Sequence, residues 1–396
     1  MKLAQRVVDL APSPTLAIDQ RAKALAAEGI DVVNLGLGEP DFDTPAAVAA
    51  AAVAAIGAGD THYTPAGGTV ALRQALARHI EAETGASYAP AQVMVSSVAK
   101  HALFNAFMTL VSPGDQVLVP TPYWVTYPEQ IRLAGGTPRP VPTPGSSAHR
   151  LTAEALEAAW RPGVRGLVVN SPNNPTGAVI DPVEVDRIAA FCVEHDLWVI
   201  ADEIYSHLVY PPAVHRSFAS VAALRDRLVY VHGLSKTFAM TGWRVGYAAG
   251  PAPVIAAMER LQGQATGNPT SIAQAAALAA VTTPLPEVAR MRATFYARRA
   301  LAGEWLARSA PLAGRVPDGA FYLWVDTAGL VGHTLAGMTI ASGDDVARAW
   351  LDGARVAAVA GSGFGEPHAV RLSLASSEER LAEAFARLDR LMVPVA

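Results

Sequence analysis

The chain has 396 residues, too many for one ordinary hydrophobic core, which predicts two domains. With 51% apolar and only 17% charged residues, the composition supports a large core and excludes disorder. The balance of 31 basic against 35 acidic residues, net −4, with no basic run or stripe, argues against nucleic acid as a main partner. Cys192 is the only cysteine, so an intrachain disulfide is impossible and a thiol-ligated metal site is not expected. It lies in the apolar stretch Ile188-Ala-Ala-Phe-Cys192-Val and reads as a buried structural thiol.

Near the N-terminus, Asp9, Pro12 and Pro14 interrupt any apolar segment, so no signal peptide is expected. The longest uncharged run, 261–286, has the length of a bilayer span of ~20 helical residues. Gln262, Gln264, Asn268 and Pro269 speak against that use. The expectation is a soluble, cytoplasmic protein that does not enter a membrane.

In chain order, a helical pattern over 17–27 ends at Gly29. Residues 30–35 read as a strand running into Gly36-Leu-Gly38-Glu-Pro40, where glycines let backbone approach a ligand. From Pro45 onward short apolar strands alternate with helical stretches. Strands are expected at 93–95, 116–119, 166–170, 197–201 and 228–231. Helices are expected near 46–57, 69–83, 100–111, 153–160 and 183–195. Such alternation implies βαβ units and a mainly parallel sheet, whose ligands sit beyond the carboxyl ends of the strands. The segment from Pro138 to Pro144 reads as a proline-punctuated loop. After residue 285 the pattern becomes α+β. An arginine-rich helix spans 287–308, and strand-like sequence at 315–325 is interrupted by Gly319-Ala-Phe-Tyr322. A helix near 344–353, strands near 355–359 and 369–374, and a closing helix over 377–391 follow. The expected division is an N-terminal segment 1–44 packing with a small domain 286–396, and a large domain 45–285.

Three polar features far apart in sequence fall just past predicted strand ends: Asn170-Ser-Pro-Asn-Asn174, Asp202 and Lys236. They should therefore converge on one edge of the sheet. The chain holds only four lysines, Lys2, Lys23, Lys100 and Lys236, and the first two lie in a surface-helical or mobile region. An amine at Lys236 and a guanidinium at Arg244, eight residues on, suit a cofactor with an aldehyde at one end and a phosphate at the other. The amine can form a Schiff base and the guanidinium can fork onto phosphate.

The stretch Ser235-Lys-Thr-Phe-Ala-Met-Thr-Gly-Trp-Arg-Val-Gly-Tyr247 resembles the lysine signature of the class I aminotransferases, pyridoxal-phosphate enzymes of the aspartate aminotransferase family. The resemblance continues through Gly36-Leu-Gly-Glu-Pro-Asp-Phe-Asp-Thr-Pro45, Pro122-Tyr-Trp-Val-Thr-Tyr-Pro128, Ser171-Pro-Asn-Asn-Pro-Thr-Gly177, Asp202-Glu-Ile-Tyr205, Gly319-Ala-Phe-Tyr322 and Arg371-Leu-Ser373. It spans nearly the whole chain in the family's order and is closest to the bacterial aspartate aminotransferases.

That resemblance implies a fold-type I α/β architecture, pyridoxal 5′-phosphate as cofactor, and roles for individual residues. Lys236 anchors the cofactor and then shuttles a proton. Asp202 keeps the pyridine nitrogen protonated and so strengthens the electron sink. Tyr205 and Asn174 donate to the phenolic oxygen, and Trp124 stacks on the ring. The phosphate is expected on Arg244, Ser235 and the free N–H groups of Ala99 and Lys100 at a helix start. Where relatives usually carry a glycine this chain has Val98, and backbone donors survive such a change of side chain. Tyr63 resembles the tyrosine that reaches the cofactor of a neighbouring subunit, which implies a homodimer with shared sites. Arg371, helped by the backbone of Gly38 and by Asn174 and Trp124, is expected to hold the substrate's α-carboxylate. Thr15 and Lys100 match the pair that bacterial relatives use for a distal carboxylate. Relatives that accept prephenate tend to have a lysine where Ala11 stands.

The expected reaction is transfer of the amino group of L-aspartate to 2-oxoglutarate by a ping-pong cycle. Within the same fold, a broad, aromatic or prephenate aminotransferase and a pyridoxal-phosphate lyase are the alternatives. A ligand-sensing transcription regulator would carry a basic helix-turn-helix ahead of this domain, and no such pattern is present.

Overall fold

Apolar runs between residues 93 and 249 need cover on both faces, and they assemble into one seven-stranded sheet. The computed structural model describes residues 1–11 and 14–393. Pro12, expected to interrupt an N-terminal apolar segment, lies outside them. In chain order the strands are β1 (Val93–Ser96), β2 (Gln116–Thr121), β3 (Thr137–Pro142), β4 (Val164–Asn170), β5 (Trp198–Asp202), β6 (Leu228–Gly233) and β7 (Gly246–Ala249). Their spatial order is β1-β7-β6-β5-β4-β2-β3, parallel throughout except for β7, which runs antiparallel to β1 and β6.

Successive side chains of these strands feed two cores, one on each face. Val168 and Ile200 join the cluster built around Phe107 and Ile131. Leu167, Val169, Val199 and Ala201 join the cluster around Leu72, Ile80 and Ile188. Cys192 belongs to the second cluster, as expected, and burial pushes its thiol up to about 12. It is protonated and unreactive.

The covering helices start and stop where local chemistry dictates. Val70–Thr84 begins at Thr69, whose side chain accepts from the Leu72 N–H, and ends at Gly85 with φ 74°. Pro182–Glu194 has a proline in its first turn and is capped by Asp181. The uncharged run 261–286 divides between helices Ala252–Ala265 and Ser271–Thr282. Among the described residues, no helix is long and apolar enough to cross a membrane.

Two sequence expectations need correction. The segment read as a proline loop is strand β3, at the edge of the sheet. Pro138, Pro140 and Pro142 share one parity, while Thr137 and Thr143, of the other parity, donate to Asp115 O and Thr121 O. The missing proline donors therefore face away from β2, where an edge strand needs none. Strand β7 lay hidden within and just after the lysine signature, because four residues beginning with glycine give no periodicity. A Cβ on Gly246 would sit 2.1 Å from Ala99 N, so only glycine lets β7 pass beneath that helix start.

A second, four-stranded antiparallel sheet lies in the C-terminal part, with strands β8 (Ala313–Arg315), β9 (Tyr322–Asp326), β10 (Val359–Ala360) and β11 (Ala369–Ser373) in spatial order β10-β11-β9-β8. Helices Pro286–Arg308 and Glu378–Met392 lie in the same part of the chain and share a buried cluster with one face of the large sheet. Of the strand expected over 30–35, only Val33–Asn34 pairs, parallel to Val356–Ala357.

Val98 precedes helix Ala99–Leu110 with φ 93° and ψ 158°, a region suited to glycine and strained for a β-branched residue. Strain of ~1–3 kcal/mol there offsets what its half-buried side chain contributes. Val95, fully buried in β1, has no such offset. Val95→Gly should lower the unfolding free energy by ~3–4 kcal/mol, whereas Val98→Gly should change it by less than ~1 kcal/mol. Denaturant unfolding of both variants checks this, and equal losses would contradict the strain.

Candidate active site

Register places the predicted polar groups side by side. Asn170, the last residue of β4, is paired with Asp202, the last of β5, and Asp202 is paired in turn with Val231 of β6. Beyond β6 the chain turns into the short helix Leu234–Thr237, which carries Lys236. These strand ends open into a cavity of about 430 Å³. Thr15, Gly38, Ala99, Lys100, Trp124, Asn174, Asp202, Tyr205, Ser235, Lys236, Arg244 and Arg371 all line it. Tyr63 does not; it is 98% exposed.

The Lys236 amine donates to the carbonyl of Gly38 and has no carboxylate partner in contact among the described residues. Burial lowers its pKa from 10.5 to about 8, so about half of it is neutral at pH 8. Asp202 is buried, and desolvation raises its carboxyl to about 6. The Tyr127 hydroxyl donates to its Oδ2 at 2.8 Å and the Ile204 N–H to its Oδ1 at 3.3 Å, both opposing that rise. Tyr205 Oη lies 2.9 Å from Tyr322 Oη, and burial pushes the Tyr205 hydroxyl well above its usual range.

Arg371 is 1% exposed. It stands in β11 between Trp324 and Val359, and donates to Asn174 Oδ1 at 3.0 Å and to Gly36 O at 2.8 Å. The rings of Tyr322 and Phe364 lie 4.3 and 5.2 Å from its guanidinium carbon. Asn174 is fixed from behind: its N–H donates to Asn170 Oδ1 at 2.8 Å, and the Asn170 amide donates to Asp202 O at 2.8 Å.

At the other end of the cavity Lys100 and Arg244 are neighbours. Burial lowers the Lys100 pKa, and Arg244 lowers it further. The Lys100 ammonium lies 4.8 Å from the Trp124 ring centroid. Two adjacent cations beside the helix start at Ala99 make an anion site. Ser235 Oγ, which lines the cavity, is buried without a hydrogen-bond partner, and so is Arg371 Nε. These orphaned groups, an amine, a carboxylate and an anion site fit a phosphorylated aldehyde with a ring nitrogen.

Sequence reasoning missed several residues that the fold brings here. Tyr127 was visible as the residue one helical turn after Trp124, yet its partner Asp202 is 75 positions away. Tyr322 and Asn170 were quoted in motifs without a role, and both line the cavity. Lys23, read as surface-helical or mobile, does stand exposed on helix Pro14–Ala27, yet it also lines the cavity and pairs with Asp19 at 2.8 Å.

The family model for "Aminotransferase class I and II" matches residues 30–388. The chain belongs to this aminotransferase family. It is 43% identical over 99% of both chains to the aspartate aminotransferase of Geobacillus stearothermophilus. It is 42% identical to an aspartate/prephenate aminotransferase of Cereibacter sphaeroides, over 98% of each. Among solved structures, the Thermus thermophilus aspartate aminotransferase with maleate superposes with a TM-score of 0.92 at 40% identity, covering 99% of this chain and 100% of that one. The aminotransferase fold type I expected from the sequence is the fold observed.

The lowered Lys236 pKa is directly testable in protein freed of small molecules. Trapping by formaldehyde and borohydride, read by peptide mapping of the four lysines, should give a midpoint near pH 8 for Lys236. At pH 8 its neutral fraction should exceed that of an ordinary lysine by about two orders of magnitude. A midpoint above 10 would show that the amine is solvated.

Proposed function

We propose that this aminotransferase moves the amino group of L-aspartate to 2-oxoglutarate with pyridoxal 5′-phosphate, giving oxaloacetate and L-glutamate. The observation that carries the reading is the pairing within one cavity of a depressed-pKa amine, Lys236, with a buried arginine, Arg371. When bound, the cofactor supplies an electron sink for the pair left at the substrate's α-carbon.

Each residue then has a task that follows from its own chemistry. Lys236 would hold the cofactor's aldehyde carbon; released as a neutral amine, its Nζ takes the α-proton and gives it back elsewhere. Asp202, anionic and dry, would hold a proton on the ring nitrogen. Tyr205 and Asn174 would donate to the phenolic oxygen, with Trp124 against the ring face. Arg244, Ser235 and the N–H groups of Ala99 and Lys100 would receive the phosphate, Val98 notwithstanding, since backbone donors do not depend on the side chain. Arg371 grips the α-carboxylate through its planar fork and fixes which bond at Cα faces the ring, with the Gly38 backbone alongside.

The choice of a dicarboxylic substrate rests on Thr15 and Lys100, which line the same cavity, and is supported by the maleate in the Thermus thermophilus relative's structure. The aspartate/prephenate relatives favour prephenate as a second substrate, although Ala11 stands where such enzymes tend to have lysine. We also propose a homodimer in the cytoplasm. Exposed apolar side chains at Val53, Ile56, Tyr63 and Val70, close together in sequence, support it, with Tyr63 reaching the partner's site. Residues 1–44 would pack with 286–396 against 45–285. Pairing of Val33–Asn34 with Val356–Ala357 and the Asp31–Arg380 ion pair at 2.7 Å support that grouping.

The deciding experiment adds L-aspartate, without oxo acid, to protein loaded with pyridoxal phosphate. Its visible band should give way to that of pyridoxamine phosphate with an equal amount of oxaloacetate. Ammonia release instead would indicate a lyase. Loss of the band's response to aspartate but not to aromatic amino acids would move the reading to the aromatic alternative.

Arg371→Lys keeps the charge but loses the fork, and should reduce kcat/KM for aspartate by ~100-fold or more. A variant within a few-fold of the parent would remove Arg371 from carboxylate binding.

A further inference from the structure

Three residues outside the cavity form a group that the aminotransferase reaction does not use. Helix Val70–Thr84 carries His79 and Glu83 one turn apart, so both leave the same face. His207, just beyond β5, joins them, and one donor atom from each of the three lies within 4.8 Å of the others. His207 Nε2 is 3.1 Å from Glu83 Oε2. The His79 and His207 rings lie nearly parallel, 4° apart with centroids 6.1 Å from each other. We propose that His79, Glu83 and His207 bind one divalent transition-metal ion per chain, with zinc the preferred occupant.

Two imidazoles and a carboxylate are an established donor set for zinc, which leaves a fourth position to water. Ligand atoms around tetrahedral zinc stand ~3.4 Å apart, so the triangle must close by about an ångström. Side-chain torsions reach that far, and Glu83, the exposed member, is free to move. Glu83 also lines a surface cavity of about 650 Å³, which gives an ion a route in.

The surroundings hold the donors as a metal site requires. His207 Nδ1 lies 3.2 Å from Ser206 Oγ and 3.4 Å from Thr237 Oγ1. Ser206 Oγ is itself 2.9 Å from His232 Nε2. His207 Nε2–H donates to Glu83 Oε2 in the metal-free protein; moving that proton to Nδ1, where the Ser206 hydroxyl with its two lone pairs can accept it, frees the Nε2 lone pair for an ion.

The test titrates zinc chloride into chelator-stripped protein loaded with pyridoxal phosphate, using a chromophoric chelator as competitor. Cobalt(II) provides a visible-band check of coordination. One ion per chain is expected, with affinity reduced at least ~100-fold in His79→Ala/His207→Ala. Glu83→Gln, an exposed change that leaves the fold intact, should weaken uptake ~10-fold, while His368→Ala, at an exposed histidine elsewhere, leaves it unchanged. No stoichiometric uptake by the parent protein would overturn the proposal, leaving a His–Glu hydrogen bond with a structural role. Uptake equal in the parent and in Glu83→Gln would overturn it as well.

Discussion

The structure depends on keeping three ionisable groups dry at one end of a sheet without letting them neutralise one another. Lys236 donates to a peptide carbonyl, Asp202 accepts from a tyrosine hydroxyl and a backbone N–H, and Arg371 donates to an asparagine amide and a carbonyl. Each charge is thus solvated by neutral dipoles in place of water. An internal ion pair would cancel the field that a charged ligand is to feel, whereas dipoles leave it available. The cost of desolvation appears in the shifted equilibria: the lysine near 8 and the aspartate near 6.

Holding those groups takes elements from the whole chain. The lysine and aspartate follow parallel strands of the large sheet, while the arginine belongs to the small antiparallel one. The Gly36–Gly38 segment links them, with Gly36 O accepting from Arg371 and Gly38 O accepting from Lys236. A Cβ on Gly38 would lie 3.1 Å from the Tyr322 hydroxyl, so this strap has little room for a side chain. Small relative shifts of the two sheets would change the separation between Arg371 and Lys236. Specificity and packing are therefore coupled through this one stretch of backbone.

The anion end of the cavity shows how a family pattern tolerates a departure. Val98 stands where the sequence resemblance implies a glycine, and the backbone here keeps the conformation that glycine favours. Helix Ala99–Leu110 begins in close contact with β7, because Gly246 sets the distance of closest approach. The donor geometry belongs to the backbone, and valine accepts strain to preserve it.

Much of this was legible in the amino-acid order. Strand and helix positions follow from local periodicity, which reports whether one or both faces are covered. Lys236, Asp202, Asn174 and Arg371 stood out because they follow or interrupt apolar strands, where polar residues need a reason. Strand β3 was misread because proline spacing signals a loop unless the neighbour on one side is known to be absent. Tyr127 beneath Asp202, Tyr322 against Tyr205 and the triad His79, Glu83 and His207 were invisible for another reason. Their members come from separate elements, and only the packing of those elements decides which side chains meet. By itself the sequence determined most of the elements, the fold family and the chemistry of each site group. The tertiary structure alone decided the pKa values and the partners, since these depend on burial and distance, which linear order does not carry.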